Sequence, residues 1–333
     1  MYKQLIETEI TDVANLMAHI NIELGVNKID YKKATHLKAL RKYKSYQTCY
    51  VSCSDGIHQF DVNPLEECNK IEQRNKKYVT TLNINGVDYL ASTTSNRIEL
   101  KNVNNDEQCT VKVPSKFLQS RQFGDRKGII ESVQTLKRKG QTYIVGTHGN
   151  LGAFKANIEN LIHQTNYHIL KKDIIHHAKS SLIRAIVRGP SLLVSDGNVL
   201  HTYYPEGEPI HSFPSQIKIT ALQLDEMSNL YMGTSSGGIY CNSDKIFQTS
   251  SRNEIKKIQV INDNIAYLEI SDLYLNGKCT ERNVHDFALS RDNIYFTRGN
   301  NLVKKIINNT RSVDNDSIEL TGKPYALHIF GGH

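Results

Sequence analysis

This sequence of 333 residues lacks the features of membrane and secreted proteins. No run of apolar residues approaches the roughly 20 that a membrane-spanning helix needs. The first ten residues, MYKQLIETEI, lack the basic segment followed by an apolar segment that marks a secretory signal. We therefore expect a protein of the cytoplasm or nucleus that has no membrane partner.

The sequence also lacks the short motifs of common catalytic and cofactor sites. The one stretch that fits G-x-S-x-G, GTSSG (233–237), falls at an expected turn, as do the Ser-Asp pairs in SDG (54–56) and SDGN (195–198). The stretch GTSSGG (233–238) lacks the lysine of a phosphate-binding loop and opens no helix. We therefore expect no catalytic residue, no cofactor and no enzymatic activity.

The cysteines and histidines show no recognisable metal-binding spacing. No two cysteines form a C-x-x-C pair. Cys49 and Cys53 are about 13 Å apart at strand rise, too far for a disulfide, which favours reduced core thiols. In the histidine-rich run 161–179 no cysteine lies nearby, so we expect solvated or hairpin histidines and no metal. These histidines are His163, His168, His176 and His177.

A short hairpin pattern occurs seven times along the chain. The seven copies are residues 50–62, 89–103, 143–154, 192–204, 230–240, 266–275 and 294–303. Each copy joins an aromatic or β-branched run to a second alternating run through a small or polar turn, as β-hairpins do. The leading residues, from Tyr50 to Tyr295, are spaced by 28 to 54 residues, mostly near the roughly 40–50 of a propeller blade.

A further short apolar run precedes each hairpin. These runs are residues 36–43, 78–84, 131–137, 182–188, 219–224, 255–260 and 284–290. Ala39, Ala185 and Ala221 place a small residue beside aliphatic ones, as the crowded innermost strands of a propeller require. An eighth run, KPYALHIF (323–330), predicts that a C-terminal inner strand closes the ring with strands from the N-terminal side.

The repeat predicts an all-β fold. We expect a seven-bladed β-propeller of four-stranded antiparallel blades over residues 36–333, because each repeat must bury its faces against its neighbours. The short last spacing leaves six, seven or eight blades open. An open β-solenoid is the rival, but its repeats are usually shorter and more regular.

Two stretches resemble known propeller repeats. ITALQLDEMSNLYMGTSSGGIYC (219–241) resembles the repeat of two-component regulator sensors, in which an Asp-containing turn precedes an aromatic residue, Gly-Thr and Gly-Gly. YVSCSDGIHQFDV (50–62) resembles a WD40 strand pair, with Phe60 and Asp61 in place of Trp-Asp. The chain departs from WD40 repeats because it has no tryptophan and no Gly-His signature. The resemblance implies a degenerate propeller that binds other proteins, and it transfers no functional residue.

Two segments do not follow the repeat. Residues 1–35 form an N-terminal appendage in which Thr11 is a candidate helix cap and Gly25 a stop, so a short helix is expected, with closing strands as the alternative. The stretch 114–130 lengthens the second spacing to 54 residues. Long connections of this kind often carry function.

The net charge of +7 is concentrated in two segments. Residues 28–44 carry seven Lys or Arg against one Asp, and residues 112–139 carry eight against Asp125 and Glu131. Basic segments with interleaved aromatic residues can neutralise phosphates and stack on bases, although solvated strand faces explain the same pattern. The candidate basic surface comprises Lys42, Lys44, Arg121, Arg126, Lys127, Lys137, Arg138 and Lys139.

Three functions are therefore compatible with the sequence. The favoured one is a non-catalytic scaffold that binds other protein subunits in a larger assembly. The first alternative is a nucleic-acid-binding subunit that contacts RNA or DNA through residues 28–44 and 114–139. The second is a propeller enzyme or small-ligand sensor with its site at the central channel.

Overall fold

The described residues form a ring of seven β-sheets. The computed structural model describes residues 47–62, 65–71, 76–105, 107–118, 129–163, 166–180, 183–206, 209–214, 217–307 and 316–330. Within these ranges the strands form seven sheets, one for each predicted hairpin, and each sheet is one blade. The predicted seven-bladed β-propeller is confirmed.

Blades 1 to 3 contain the first part of the chain. Blade 1 has β1 (Thr48–Cys53), β2 (Gly56–Val62) and β3 (Leu65–Ile71), and the last strand of the chain completes it. Blade 2 has β4 (Tyr78–Ile84), β5 (Val87–Thr93), β6 (Arg97–Asn102) and β7 (Gln108–Lys112). Blade 3 has β8 (Ile130–Arg138), β9 (Gln141–His148), β10 (Gly152–Asn157) and β12 (Ile174–His177), while β11 (Asn166–His168) joins blade 2.

Blades 4 to 7 follow the same order from the centre outward. Blade 4 has β13 (Ile183–Arg188), β14 (Ser191–Asp196), β15 (Val199–Tyr203) and β16 (Pro209–Pro214). Blade 5 has β17 (Ile219–Leu224), β18 (Leu230–Thr234), β19 (Gly238–Cys241) and β20 (Asp244–Gln248). Blade 6 has β21 (Ile255–Ile261), β22 (Asn264–Glu269), β23 (Asp272–Leu275) and β24 (Lys278–Glu281). Blade 7 has β25 (Val284–Leu289), β26 (Asn293–Arg298), β27 (Asn301–Ile306) and β28 (Asp316–Glu319).

Helical structure in the described ranges is short. It consists of α1 (Ser115–Leu118), α2 (Ile158–His163) and a 3₁₀ turn (Lys171–Asp173). None of the helices in the part of the chain that the structure describes is long and apolar enough to cross a membrane. The chain between β10 and β12 carries α2 and then β11, which pairs in parallel with β7. The segment between β10 and β12 thus gives blade 2 a fifth strand and connects blade 2 to blade 3.

The final strand, β29 (Pro324–Phe330), closes the ring. It pairs with β1, and Thr48 lies opposite Phe330. The innermost strands of blades 2 to 7 contact one another in sequence around the axis, and β29 contacts both β25 and β4. The predicted closure by a C-terminal inner strand is confirmed. In blade 1, β29 occupies the innermost position that residues 36–43 were expected to fill.

Other predictions for the N-terminal part lie outside the described residues. These are the inner strand 36–43, the helix within 11–25 and the boundary after residue 35. Residues 119–128 of the long connection also lie outside. They stay predictions.

The hydrophobic core is divided among the blade interfaces. The described part of the chain has seven buried clusters, one between each pair of neighbouring blades. Between blades 7 and 1, for example, Tyr295 and Leu302 pack against Phe60 and Leu327. Because strand side chains alternate, each blade buries one face against each neighbour. Stability therefore depends on a complete ring.

The turns lie at two ends of the blades. Since the four inner strands of each blade are antiparallel to their neighbours, and only the added β11 runs parallel, the turns alternate between these ends. One end, the hairpin face, carries the turns between first and second strands and between third and fourth strands. The other end, the connection face, carries the turns between second and third strands and the links from blade to blade.

The glycine-rich turn of blade 5 is required by packing. Gly237 has φ of +75°, and a Cβ there would lie 2.1 Å from Oγ1 of Thr249. Thr234 Oγ1 accepts a hydrogen bond of 2.8 Å from the backbone N–H of Gly238 and closes the turn. GTSSGG therefore forms a bend between two blade strands, as the repeat predicted.

Candidate functional site

Polar side chains of the innermost strands bind the backbone of the next blade. In β8, Gln134 donates from Nε2 to the carbonyl of Ala185 at 3.1 Å, and its Oε1 accepts from the backbone N–H of Val187 at 2.9 Å. In β21, Gln259 Oε1 accepts from the backbone N–H of Leu289 at 2.6 Å. These amide groups serve as bridges between neighbouring inner strands.

The partly buried Asp286 of β25 joins three blades. Lys257 Nζ donates to Asp286 Oδ1 at 2.7 Å and to the carbonyl of Phe287 at 2.7 Å. The backbone N–H of Leu327 donates to Asp286 Oδ2 at 2.8 Å. The side chains of Lys257 and Asp286 are therefore hydrogen-bonded within the ring. They do not favour a ligand site at the central channel.

A buried polar cluster lies between blades 3 and 4. His176 of β12 is only 6 % exposed, so the expectation that it is solvated was wrong. Its Nε2 lies 2.7 Å from Asp196 Oδ2, and its Nδ1 lies 2.6 Å from the hydroxyl of Tyr203. The strand β12 faces blade 4 at this point, and the hydrogen bonds compensate for the burial of the ring. His168 and His177 are exposed, as predicted.

Electrostatics in this cluster favour the carboxylate form of Asp196 and the neutral form of His201. Although burial opposes ionisation, hydrogen bonds from His176, Ser180 and the backbone of Lys179 lower the pKa of Asp196. Burial, together with the neighbouring His176, lowers the pKa of His201. The two imidazole rings lie 4.8 Å apart between centroids.

This cluster contains serine, histidine and aspartate but does not form a catalytic triad. Ser195 is fully buried beside Asp196. Both ring nitrogens of His176 are already engaged, by Asp196 and Tyr203. A general base needs a free ring nitrogen within reach of the nucleophile. The arrangement braces two blades.

Carboxylates at the turn between second and third strands recur as braces on the connection face. Asp196 accepts from the backbone N–H of Lys179, in the link from blade 3, at 2.7 Å. Asp55 accepts from Oγ1 of Thr321, in the link from blade 7, at 2.6 Å. Glu269 accepts from Oγ1 of Thr249, in the link from blade 5, at 2.7 Å. The two Ser-Asp turns were noted in the sequence, but their partners are remote in the chain, so the braces were missed.

The cysteines divide between core and rim. In the described residues, which include all six cysteines, none forms a disulfide. Cys49 and Cys53 are buried between blades 7 and 1, as predicted. Cys68 and Cys279 are exposed, so the core prediction was wrong for these two. They lie in β3 and β24, the outermost strands of their blades, where one face of the sheet meets solvent.

Of the candidate basic surface, three residues are described. Lys137 and Arg138 end β8, Lys139 follows in the turn, and all three lie on the hairpin face. Arg138 lies 3.1 Å above the ring centre of Tyr204, and Glu206 is 3.4 Å from both Arg138 and Lys139. The other five, Lys42, Lys44, Arg121, Arg126 and Lys127, lie outside the described residues.

The second basic segment spans both ends of its blade. Its start includes α1, which lies in the link from blade 2 to blade 3 on the connection face. The nine residues of β8 then cross the blade and separate Ile130 from Arg138 by about 26 Å at strand rise. Residues 137–139 therefore belong to a different face from residues 114–118.

Exposed apolar side chains concentrate on the hairpin face. Eight large apolar side chains are exposed among the described residues, and five of them lie on this face. These five are Val87, Val103, Tyr204, Met227 and Ile306. Met227, in the turn between β17 and β18, is 86 % exposed. Ile270 lies on the connection face, and Leu170 and Ile246 lie on the rim.

Comparison with known proteins relates the chain to others through its fold. No family model matches the sequence, and no curated protein matches it. Apo AztD from Citrobacter koseri aligns with a TM-score of 0.53 at 8% identity, over 86% of this chain and 98% of that chain. A chain of the mitotic checkpoint complex aligns with a TM-score of 0.52 at 11% identity, over 76% and 80%.

Raptor of Chaetomium thermophilum is also similar, with a TM-score of 0.51 at 9% identity, over 76% of this chain and 24% of that chain. At such low identity these likenesses concern the fold. Together with the seven blades, they confirm a degenerate propeller repeat protein.

Proposed function

We propose that this propeller is a non-catalytic scaffold that binds other protein subunits through its hairpin face, in the cytoplasm or nucleus. One observation carries the proposal: five of the eight exposed large apolar side chains in the described residues lie on that face. Exposed apolar groups gathered on one face mark a site of association, whereas single scattered ones do not. These five side chains are distributed over blades 2, 4, 5 and 7, so the partner would need a contact surface that spans several blades.

The arrangement of polar groups supports the same function. The titratable side chains that could form a catalytic set, such as His176 and Asp196, hold blades together. Asp286 likewise binds the backbone of the next blade. A similar propeller fold occurs in a chain of the mitotic checkpoint complex. A rigid ring with its polar groups used internally is well suited to present a surface.

The test compares substitutions on the two faces. Tagged protein is purified at native concentration from its source, and its mass is measured by light scattering after size exclusion. Met227→Glu and Val103→Glu should remove a stoichiometric partner, because a charge would be buried at the interface. Ile270→Glu, on the connection face, is the matched control and should retain the partner.

Two outcomes would contradict the scaffold proposal. One is that the wild-type protein is monodisperse and alone at native concentration. The other is that the variants on both faces bind the partner equally well. Cross-linking of the partner to residues on the hairpin face would supply positive support.

A second function, binding of RNA or DNA, is favoured by one specific observation. Lys137 and Lys139 are exposed on either side of Arg138, which lies on the partly exposed ring of Tyr204. A cation next to an aromatic ring can engage a phosphate and a base together. Glu206 reduces the local positive charge, which makes this the weaker proposal.

Charge reversal tests nucleic-acid binding. The double substitution Lys137→Glu and Lys139→Glu should weaken binding of single-stranded RNA or DNA and reduce its salt dependence. Lys245→Glu, exposed in β20, is the control. If the wild-type protein shows no salt-dependent binding at low ionic strength, this function is ruled out.

A further inference from the structure

Three potential metal ligands meet at the connection-face end of blade 1. Cys53 ends β1, Asp55 lies in the two-residue turn, and His58 follows in β2. The pairing of Cys53 with Gly56 brings the two strands together here. One ligand atom from each of the three side chains lies within 4.8 Å of the other two. Cys53 and His58 are buried, whereas Asp55 reaches the surface.

The imidazole of His58 contacts a carboxylate on both sides. Its Nδ1 lies 2.6 Å from Glu67 Oε1, and its Nε2 lies 3.1 Å from Asp55 Oδ1. A neutral imidazole has a single N–H donor, and a carboxylate can only accept. One of the two contacts therefore needs a cation, which is either a second ring proton or a metal ion.

We propose that Cys53, Asp55 and His58 bind a zinc ion. Zinc takes thiolate sulfur, imidazole nitrogen and carboxylate oxygen, and three protein ligands leave a fourth position for water or another ligand. At metal–ligand distances of about 2.0–2.1 Å, a tetrahedral site separates a nitrogen and an oxygen ligand by about 3.3 Å. The 3.1 Å between His58 Nε2 and Asp55 Oδ1 is close to that value.

Glu67 supplies the outer contact that a zinc-binding histidine requires. Metal-bound histidines donate their other N–H to a carboxylate, which fixes the tautomer and the ring orientation. Glu67 stands at that position, 2.6 Å from Nδ1. The proton then resides on Nδ1, and the lone pair of Nε2 is directed at the metal.

The charges of the cluster suit a divalent cation. Lys70 Nζ lies 2.7 Å from Asp55 Oδ2. With zinc bound, the positive charges of the metal and Lys70 balance those of the thiolate and the two carboxylates, Asp55 and Glu67. Lys70 and Thr321 both donate to Oδ2 of Asp55, which leaves Oδ1 to bind the metal.

Zinc binding must release a proton from Cys53. Cys53 is a buried free thiol, and zinc binds cysteine as the thiolate. The zinc–sulfur bond forms as the S–H bond breaks, and the proton leaves to solvent. Affinity should therefore rise with pH.

The site would strengthen the closure of the ring. Asp55 Oδ2 also accepts from Thr321, in the link from β28 to the closing strand β29. A metal bound to Oδ1 would fix the orientation of the Asp55 side chain. It would thereby strengthen the hydrogen bond between Oδ2 and Thr321. Binding to the folded state alone should raise the melting temperature.

The experiment measures zinc binding to the full chain. Protein stripped with a chelator is titrated with Zn²⁺ against a chromophoric competitor, and separately with Co²⁺ followed by visible and near-ultraviolet absorption. We expect one equivalent of metal, a tetrahedral Co²⁺ spectrum with a thiolate charge-transfer band, and a higher melting temperature. Cys53→Ser should abolish the thiolate band and lower affinity at least about ten-fold.

Two further variants keep the test decisive if Cys53→Ser fails to fold. Glu67→Gln changes a partly exposed side chain and should weaken zinc about 10–100-fold while the fold persists. Cys68→Ser removes an exposed thiol of the same blade and should leave binding unchanged.

Three results would overturn the zinc site. They are the absence of stoichiometric binding, loss of binding in Cys68→Ser, and unchanged affinity in Glu67→Gln. His58 would then be an imidazolium paired with Asp55 and Glu67.

Discussion

The backbone N–H of Leu327 donates to Asp286 Oδ2 at 2.8 Å, across the join between the last blade and the blade that closes the ring. The same carboxylate accepts from Lys257 Nζ in blade 6 at 2.7 Å. One side chain thus connects three consecutive blades at their innermost strands. Since each blade buries its faces against its neighbours, this bridge couples the stability of the three blades and so strengthens the cooperative unfolding of the ring.

Removal of this carboxylate should destabilise the propeller. Asp286→Ala leaves the Lys257 cation without a carboxylate and the Leu327 N–H without an acceptor, so we expect a loss of about 3 kcal/mol. Urea unfolding followed by circular dichroism measures it. Lys256→Ala, at the exposed neighbouring position in β21, should change stability by less than about 0.5 kcal/mol. Equal effects of the two substitutions would disprove the bridging role.

Acidification should weaken the contact between blades 3 and 4. The folded-state pKa of His201 lies below its ordinary 6.5, so its contribution is complete above pH 6.5 and is lost as pH falls towards the lowered value. Asp196 adds a second loss when pH falls below 3.8, because its pKa is also lowered. Melting temperatures between pH 8 and 5 should therefore fall, and His201→Gln should flatten the dependence. A slope that His201→Gln leaves unchanged would assign the effect to other groups.

Two glycines separate the effect of backbone conformation from that of packing. Gly237 and Gly299 both have positive φ, +75° and +56°, in the corresponding turns of blades 5 and 7. No described atom lies within 4 Å of a Cβ added at Gly299, so Gly299→Ala should destabilise by about 1 kcal/mol. A Cβ at Gly237 meets Thr249, so Gly237→Ala should destabilise by about 3 kcal/mol. Similar values in urea unfolding would show that the contact with Thr249 is unimportant.

Deletion of the closing strand should abolish cooperative folding. A chain that ends before Pro324 leaves β1 without its inner partner and opens the cluster that contains Phe60 and Leu327. We expect loss of the single thermal transition and association through the freed strand edge. A chain that lacks only residues 331–333 should melt like the wild type. A cooperative transition in the longer deletion would indicate that six complete blades suffice.

Much of the fold could be predicted because its signals are local. The turn residues of the seven hairpins and the apolar runs before them occur in order along the chain, and β18 and β19 follow this pattern closely. The isolated run 323–330 identified the closing strand because it had no hairpin of its own. Strand period and turn chemistry act over a few residues, so they are visible without tertiary structure.

The polar clusters could not be predicted, because their members are remote in sequence. His176 and Asp196 are 20 residues apart, and Thr321 and Asp55 are 266 apart. Histidine, aspartate and threonine are common in turns and links. No sequence spacing between such residues identifies a pair that will meet in the folded ring. Cys53, Asp55 and His58 are close in the chain, but only the hairpin register and the approach of Glu67 from β3 give them the geometry of a metal site.

The alternation of apolar residues and the placement of turn residues were enough to establish an all-β propeller with its closing strand, since these depend on the backbone period and on local steric limits. The braces between blades, the exposed apolar side chains of the hairpin face and the candidate zinc site arose from packing of the blades around the axis. That packing sets which of Asp55, Asp196 and Asp286 are enclosed and what each one contacts. Burial and partner identity, which determine the chemistry of a side chain, are properties of the assembled ring.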